Sequence, residues 1–466
     1  MNRIEIASMP ADIADLTAQD LAAGFAQGAF TPVDALDAVR TRCERDNRVI
    51  NTVIETNWDA ARSAAEASAS RWRRSEALSP LDGIPMTVKD NLLVAGMRAT
   101  WGSRIYKDFS PAADEAPVAR LRAAGAVFFG KTNVPEFTLQ GYTSSPLFGV
   151  TRNPCAIDRT PGGSTGGGAA AVAAGMGPIA LGTDGGGSIR RPAAHCGLFG
   201  LKPSLGQVAR YGGFPQILHD FEVVGPIARS VEDLRATFLA LRGYDARDPR
   251  SAAAFGPRAV GAPVRVAFVP HIGRAPVDSR IADCAVKTAR LFEEMGCIVE
   301  EVAAPFDADA SSALWSEVAA TGLAWHLSSI EGWQEDVGPA TLATAERGRG
   351  HDAFDYLDAL RAVETARVDA GLFFSEWDVM LSPTTAALAW SADRPFPETI
   401  NGQPVGPRGH AVFTGWMNLV GAAAVSFPVA MTKEDGGIGM QLTAAAGFDL
   451  ALLDLVGRWA SASGRA

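Results

Sequence analysis

The sequence predicts an α/β layered fold, a largely buried sheet flanked by helices. Three observations carry this expectation. Short apolar runs bounded by glycine, proline and polar residues recur along the chain. Alanine-rich or amphipathic helical stretches separate them. Hydrophobic residues make up 47% of the 466, enough for a large core.

The elements follow in order. The first 75 residues read as helical. Thr31-Pro32 is an N-cap followed by proline at the first helical position, opening a helix over 32–46. Residues 57–75 continue in the same alanine-rich style. IPMTV (84–88) reads as a buried strand. A helix over 117–124 stops at Gly125, and AVFF (126–129) is the next strand. PIAL (178–181) resembles it. Further strands are expected at 264–269, 297–302, 379–381, 424–429 and 438–443, with helices at 230–242, 278–295 and 448–462. Residues 305–372 are helical and carry Trp315, Trp325, Trp333, Phe354 and Tyr356. They are expected to form a lid or pocket wall, or else to pack those aromatics into the core. No repeat or low-complexity linker interrupts the chain. It is read as one domain over 1–466, with a helical region at 1–75, a core at 76–235 and the pocket segment at 305–372.

Charge and cysteine usage narrow the function classes. Lys and Arg total 42 against 52 Asp and Glu, a formal net charge of −10. The one basic cluster, Arg71, Arg73 and Arg74, is short, so nucleic acid is not the expected partner. Cys43, Cys155, Cys196, Cys284 and Cys297 are odd in number and contain no C-x-x-C pair. This points away from a disulfide framework or a zinc site and toward a reducing, cytoplasmic setting. The start, MNRIEIASMPADIADL, lacks the apolar core of a signal peptide. The weakly polar stretch 166–182 has too few large apolar residues to favour a membrane span.

The segment 161–192 is the most unusual. It places Ser164 in GGSTGGG and Ser188 in GTDGGGSIR. Glycine is costly in chain entropy, so such clusters need a reason. A run such as Gly185-Gly186-Gly187-Ser188 can turn several backbone N–H groups toward one point and stabilise an oxyanion. Three pattern matches compete. GAVFFGKT (125–132) fits the P-loop expression, but its cradle positions are the apolar residues of a strand, and Pro135 follows too soon for the expected helix. GTDGGG (182–187) does not satisfy a dinucleotide loop. GGSTG (162–166) fits a nucleophile elbow, which requires a later histidine. His195, His219, His271, His326, His351 and His410 are the candidates, and no context singles one out.

The ensemble resembles the amidase signature family. LDGIPMTVKDN (81–91), GKTNVPEF (130–137), PGGSTGGGAA (161–170), GTDGGGSIRRPA (182–193) and GLFGLKPS (197–204) look like its core motifs, in order. GPIARSVEDL (225–234), SPTT (382–385), NLVGAAAVSFPV (418–429) and IGMQL (438–442) match more loosely. The resemblance implies a single α/β/α layered domain with a mixed central sheet. It implies amide carbon–nitrogen hydrolysis without metal or cofactor, on a small-molecule amide, by a homodimer. It also implies a Ser–cisSer–Lys triad: Ser188 as nucleophile, Ser164 as bridging serine after a cis bond from Gly163, Lys89 as base. The backbone N–H groups of Gly185, Gly186, Gly187 and Ser188 would form the oxyanion hole. Relatives commonly have Ser-Ser where this chain has Ser164-Thr165; threonine keeps the hydroxyl.

The chemistry agrees with the residue types. A serine hydroxyl needs a base to become a nucleophile. Lysine is a base only when neutral, so its ordinary pKa of about 10.4 must fall through burial. A neutral-to-alkaline optimum follows. Arg190 is expected to brace the loop, Asp184 to bond its backbone and Glu136 to be structural. Arg191 either holds a substrate carboxylate, as in some relatives, or makes a structural ion pair. Thr138, Tyr142 and Trp416, with the tryptophans of 305–335, are candidates for an apolar or aryl pocket. Three readings compete with this one. The first is an ammonia-generating component of a tRNA-dependent amidotransferase. The second is a Ser–His–Asp esterase built on GGSTG, and the third a binding protein without catalysis.

Overall fold

A computed structural model describes residues 12–253 and 258–465. Its frame is an eleven-stranded mixed sheet. The strands are β1 (Val53–Thr56), β2 (Pro85–Lys89), β3 (Val127–Thr132), β4 (Ile179–Asp184), β5 (Phe199–Lys202), β6 (Val223–Ala228), β7 (Arg265–Phe268), β8 (Ile298–Glu301), β9 (Val379–Pro383), β10 (Ala423–Thr432) and β11 (Gly436–Ala444). Their order across the sheet is β1-β3-β2-β4-β6-β5-β10-β11-β9-β7-β8. Strands β3, β2 and β4 run parallel. Pairing from β4 through β6, β5, β10 and β11 to β9 is antiparallel, and β9, β7 and β8 are again parallel. Helices cover both faces, so the central strands are buried end to end, with Met86, Val88, Ile179, Leu181, Val425 and Leu442 fully enclosed. Burial on two faces explains why these strands read as continuous apolar runs rather than alternating ones.

The expected helices at 32–46, 57–75, 117–124, 230–242, 278–295 and 448–462 appear as Pro32–Ile50, Trp58–Arg73, Ala116–Ala123, Val231–Leu241, Ser279–Glu294 and Asp449–Ala462. Thr31 caps its helix through a reciprocal bond pair with Asp34. The expectation for residues 1–11 lies outside the described residues. Residues 12–75 are helical except for β1, an edge strand antiparallel to β3. Its run of four residues follows Asn51, whose left-handed backbone ends the preceding helix. Strands β5 and β6 went unforeseen because glycine and proline interrupt them at Gly200, Gly225 and Pro226.

Two local findings shape the site. Strand β3 continues through Gly130-Lys131-Thr132, so GAVFFGKT holds no phosphate cradle. Lys131 is buried instead, its Nζ donating to the Leu92 carbonyl at 2.8 Å and lying 3.6 Å from the Asp90 carboxylate. The second is an unexpected helix, Gly166–Ala173, that begins on three glycines. A Cβ on Gly167 would collide with the Asn133 backbone. The helix accepts the propensity cost of glycine in order to lie against the chain leaving β3.

The 305–372 segment is helical, as expected: Ala308–Leu327, Trp333–Asp336, Pro339–Arg349 and the first part of Ala353–Glu376. Among the described residues, no helix is long and apolar enough to cross a membrane.

Candidate active site

The site sits at the carboxyl ends of β2 and β4, where parallel strands of an α/β sheet deliver side chains into a crevice. Lys89 is the last residue of β2 and Asp184 the last of β4. Ser164 follows a cis peptide bond from Gly163, just before the glycine-rich helix. Ser188 ends the loop after β4 and precedes the short helix Arg190–His195.

Lys89 is fully buried, with no carboxylate in contact among the described residues. Its Nζ lies 2.9 Å from Ser164 Oγ, 3.0 Å from the Thr183 carbonyl and 2.8 Å from Thr183 Oγ1. Burial lowers its pKa to about 7. The charges of Glu222 and Asp184 oppose that shift, and those of Arg210 and Arg191 reinforce it. Ser164 Oγ therefore has one polar side-chain partner, Lys89. Ser188 is tied to the residue after Ser164 through backbone, its carbonyl accepting the Thr165 N–H at 3.0 Å, and among the described residues no hydrogen bond joins its Oγ to Ser164. Thr165 Oγ1 donates to the Thr183 carbonyl at 3.0 Å, which ties the two serine loops together.

Asp184 organises the loop that carries Ser188. Its carboxylate accepts from the N–H groups of Gly187 (2.6 Å) and Ile189 (3.1 Å), from Arg190 Nε (3.0 Å) and from Asn418 Nδ2 (3.0 Å). Burial alone would raise its pKa; the Arg190 guanidinium outweighs this and holds it ionised, far below the usual range. Arg190 also bonds Gln441 Oε1, Asn418 Oδ1 and the Thr414 carbonyl. The expected bracing role thus has a concrete set of partners. Gly187 has φ +110°, and a Cβ there would strike Thr414. Because the Gly187 N–H is taken by Asp184, it is not free for an oxyanion, a correction to the four-donor expectation. The N–H groups of Gly185, Gly186 and Ser188 have no protein partner among the described residues.

A cavity of about 900 Å³ opens onto Ser188. Thr138, Arg191 and Trp416 line it, with Gly186, Trp315 and Arg408. Trp416 is held face to face with Phe306, ring centroids 4.8 Å apart. Tyr142 does not line the cavity; its backbone packs behind Gly163. Of the three tryptophans at 305–335, only Trp315 reaches it. Trp333 is buried in the same apolar cluster as Trp315 but away from the cavity, and Trp325 is exposed on another cleft. Trp315 Nε1 donates to the Gly185 carbonyl at 2.6 Å. Glu136 ties the pocket segment to the core, accepting from the Gly338 N–H at 2.8 Å and Thr341 Oγ1 at 2.6 Å.

Arg191 makes no ion pair among the described residues, which overturns the structural reading of it. It is buried, its Nη2 donates only to the Gly163 carbonyl at 3.3 Å, and its Nε has no partner. None of the six histidines is hydrogen-bonded to Ser164 or Ser188. His195 and His410 are both buried, His195 with neither ring nitrogen partnered among the described residues, and burial pushes His195 down to about 3 and His410 well below the usual range. The esterase reading therefore has no base beside its serine.

The comparisons with known proteins agree with this geometry. The family model described as Amidase matches residues 34–453. The chain belongs to the Amidase family. It is an amidohydrolase, acting on amide carbon–nitrogen bonds. This amidase is 32% identical to a glutamyl-tRNA(Gln) amidotransferase component from Oleidesulfovibrio alaskensis, covering 94% of the chain and 95% of the relative. It is 31% identical to an acylamidase of Rhodococcus erythropolis, covering 92% and 91%. It superposes on a bacterial aryl acylamidase of the amidase signature family with a TM-score of 0.87, at 26% identity over 96% of each chain.

Four features of the amidase site were not foreseen: Thr183, Glu222, Arg210 and Arg408. Thr183 lies inside the recognised GTDGGG segment. Arg210 and Glu222 fall in 205–225, which carries no motif, and Arg408 meets the site only through the fold.

Proposed function

We propose that this amidase works by acyl transfer through Ser188, with Ser164 as relay and Lys89 as base. The carrying observation is the Lys89 Nζ–Ser164 Oγ contact of 2.9 Å at a fully buried lysine with no carboxylate in contact. Neutral Lys89 takes the Ser164 proton while Ser164 takes the proton of Ser188. The Ser188 oxygen bonds to the amide carbon, and the carbonyl π pair moves onto oxygen. The N–H groups of Gly185, Gly186 and Ser188 stabilise that oxyanion. The tetrahedral intermediate expels nitrogen, which collects the proton from Lys89 through Ser164. Water then repeats the sequence on the acyl-enzyme and releases the carboxylate. In the resting site, relay bonds are often long and tighten only with substrate.

Two guanidiniums suggest the substrate class. Arg191 and Arg408 both line the cavity, and among the described residues neither has a carboxylate partner. Arg408 lies 4.0 Å over the Trp315 ring, with its Nε on Ser312 Oγ at 2.9 Å. Burial, and the nearby charge of Arg191, lower Arg408 to about 9. With Arg347 the cavity carries three cations against Asp309, in a chain of net charge −10. A planar carboxylate on the amide substrate fits this fork-bearing wall. The pocket segment supplies Trp315 as wall; the assembly is read as a homodimer from the family resemblance, and the setting as cytoplasmic, consistent with five free cysteines.

The test is a panel of amides and anilides, with and without a carboxylate, on wild type, Ser188→Ala, Ser164→Ala and Lys89→Ala. All three variants should lose about a thousandfold or more in kcat. The relation to the amidotransferase component favours one other reading, an ammonia-generating member of a larger assembly. Purified chain that hydrolyses simple amides without a copurifying protein decides against it.

A further inference from the structure

Thr183 stands behind Lys89, and its hydrogen-bonding capacity is full. Its Oγ1 accepts from Lys89 Nζ at 2.8 Å and from Asn91 Nδ2 at 3.1 Å, and donates to Glu222 Oε2 at 3.0 Å. The other Glu222 oxygen is held by Arg210 Nη1 in an ion pair. Arg210 Nε in turn donates to Glu115 Oε1 at 2.8 Å. The chain Lys89–Thr183–Glu222–Arg210–Glu115 thus runs from the proposed base away from the cavity. Thr183, Glu222 and Arg210 are not among the residues lining that cavity.

A hydroxyl has one proton and two acceptor sites, and a carbonyl has no proton. The Thr183 hydroxyl proton is committed to Glu222. Toward Lys89, both Thr183 oxygens are therefore acceptors only. A neutral amine has two N–H groups and one lone pair. Its two N–H groups find acceptors at the Thr183 carbonyl and Oγ1, 3.0 and 2.8 Å away. The remaining tetrahedral direction, where the lone pair lies, faces Ser164 Oγ at 2.9 Å. Without Glu222, the Thr183 proton would be free to point at Lys89 and turn the lone pair away from the relay.

We propose that Glu222 and Arg210 are positioning residues that act through Thr183: they aim the Lys89 lone pair at Ser164 and balance the charge around it. The proposal rests on Lys89 being the base. Charged groups that bear on Lys89 are Glu222 and Asp184 on one side and Arg210 and Arg191 on the other. Glu222 alone would hold Lys89 as ammonium. Arg210, paired to it, relieves that pull. When Lys89 gains the proton, all three N–H groups have acceptors ready, and the proton returns by the same Ser164 bond.

The two residues move Lys89 in opposite directions, and that makes the test specific. The readout is the acid limb of kcat/KM against pH, measured on full-length protein. Glu222→Gln removes the charge that raises Lys89, so the limb moves to lower pH, with kcat down on the order of tenfold as the lone pair is misdirected. Arg210→Met leaves Glu222 facing Lys89 uncompensated, so the limb moves to higher pH. At position 183, serine keeps the acceptor and valine deletes it. Thr183→Ser should recover most of the activity that Thr183→Val loses, and this pair decides the matter if either charge variant fails to fold. Limbs that stay at the wild-type pH, or shift the same way in both variants, overturn the proposal, as does a Thr183→Val enzyme equal to Thr183→Ser. Lys89→Ala separates the two levels: if it retains wild-type activity, the base assignment itself is wrong. If it is inactive while both limbs stay put, only the roles of Glu222 and Arg210 fall.

Discussion

Trp315 Nε1 donates to the Gly185 carbonyl at 2.6 Å, so the helix Ala308–Leu327 grips the glycine loop from the pocket side. The same indole ring lies under the Arg408 guanidinium. One side chain thus links the loop that precedes Ser188 to the Arg408 wall of the cavity.

Replacing that tryptophan with phenylalanine keeps a ring beneath Arg408 and deletes one hydrogen bond. A buried bond of this kind contributes about 1 kcal/mol, and the Gly185 carbonyl would be left without that donor. Trp315→Phe should lower kcat/KM about five- to tenfold with little change in global stability. Steady-state kinetics beside urea unfolding measure both, and unchanged kinetics would detach the helix from the loop's function.

The pH dependence follows from Lys89. Its pKa is lowered to about 7, and in the proposed mechanism the neutral amine is the active form. Below that value each pH unit should cost about tenfold in kcat/KM; above it the rate should level off. A rate that is flat from about pH 5 to 9 contradicts a lysine base.

The cationic wall predicts selectivity. Succinamate and butyramide differ only in a carboxylate for a methyl, and glutaramate pairs with pentanamide in the same way. The better half-amide should exceed its neutral partner about tenfold or more in kcat/KM. Arg408→Met should erase most of that ratio, since a bond to a charged group contributes about 1.5–3 kcal/mol. Binding of the half-amides to Ser188→Ala, measured by calorimetry, checks the preference without turnover. Neutral amides that bind and react as well as their charged partners would refute it.

Glu136 accepts from Ser103 Oγ, the Gly338 N–H and Thr341 Oγ1. Glu136→Ala leaves these donors unpaired near the join between the core and the pocket segment. Destabilisation of about 2–3 kcal/mol is expected. Urea unfolding measures it, and a loss below about 0.5 kcal/mol would show that the tie is dispensable.

Much of this was legible in the residues. Apolar runs such as IPMTV and VRVAFV mark strands buried on both faces, and Thr31-Pro32 marks a helix start through capping chemistry that is local. The two serine nests and Lys89 were legible as motifs. What the sequence could not carry is long-range pairing. Glu222, which carries Arg210 with it, comes to stand behind Thr183 and so near Lys89 only because β6 lies beside β4 in the sheet. Arg408 becomes a pocket residue only by stacking on Trp315, far away along the chain. Tyr142 shows the converse: an aromatic expected in the pocket brings its backbone against Gly163 and does not line the cavity. The Gly187 N–H reads as an oxyanion donor in the sequence, yet the Asp184 carboxylate, a few residues back, claims it.

The most direct measurement is mass spectrometry of the enzyme quenched in acid during turnover of a slow anilide, with the modified peptide sequenced. The account predicts an acyl group on Ser188, lost in Ser188→Ala. An acyl group on Ser164 or on any other residue would contradict it.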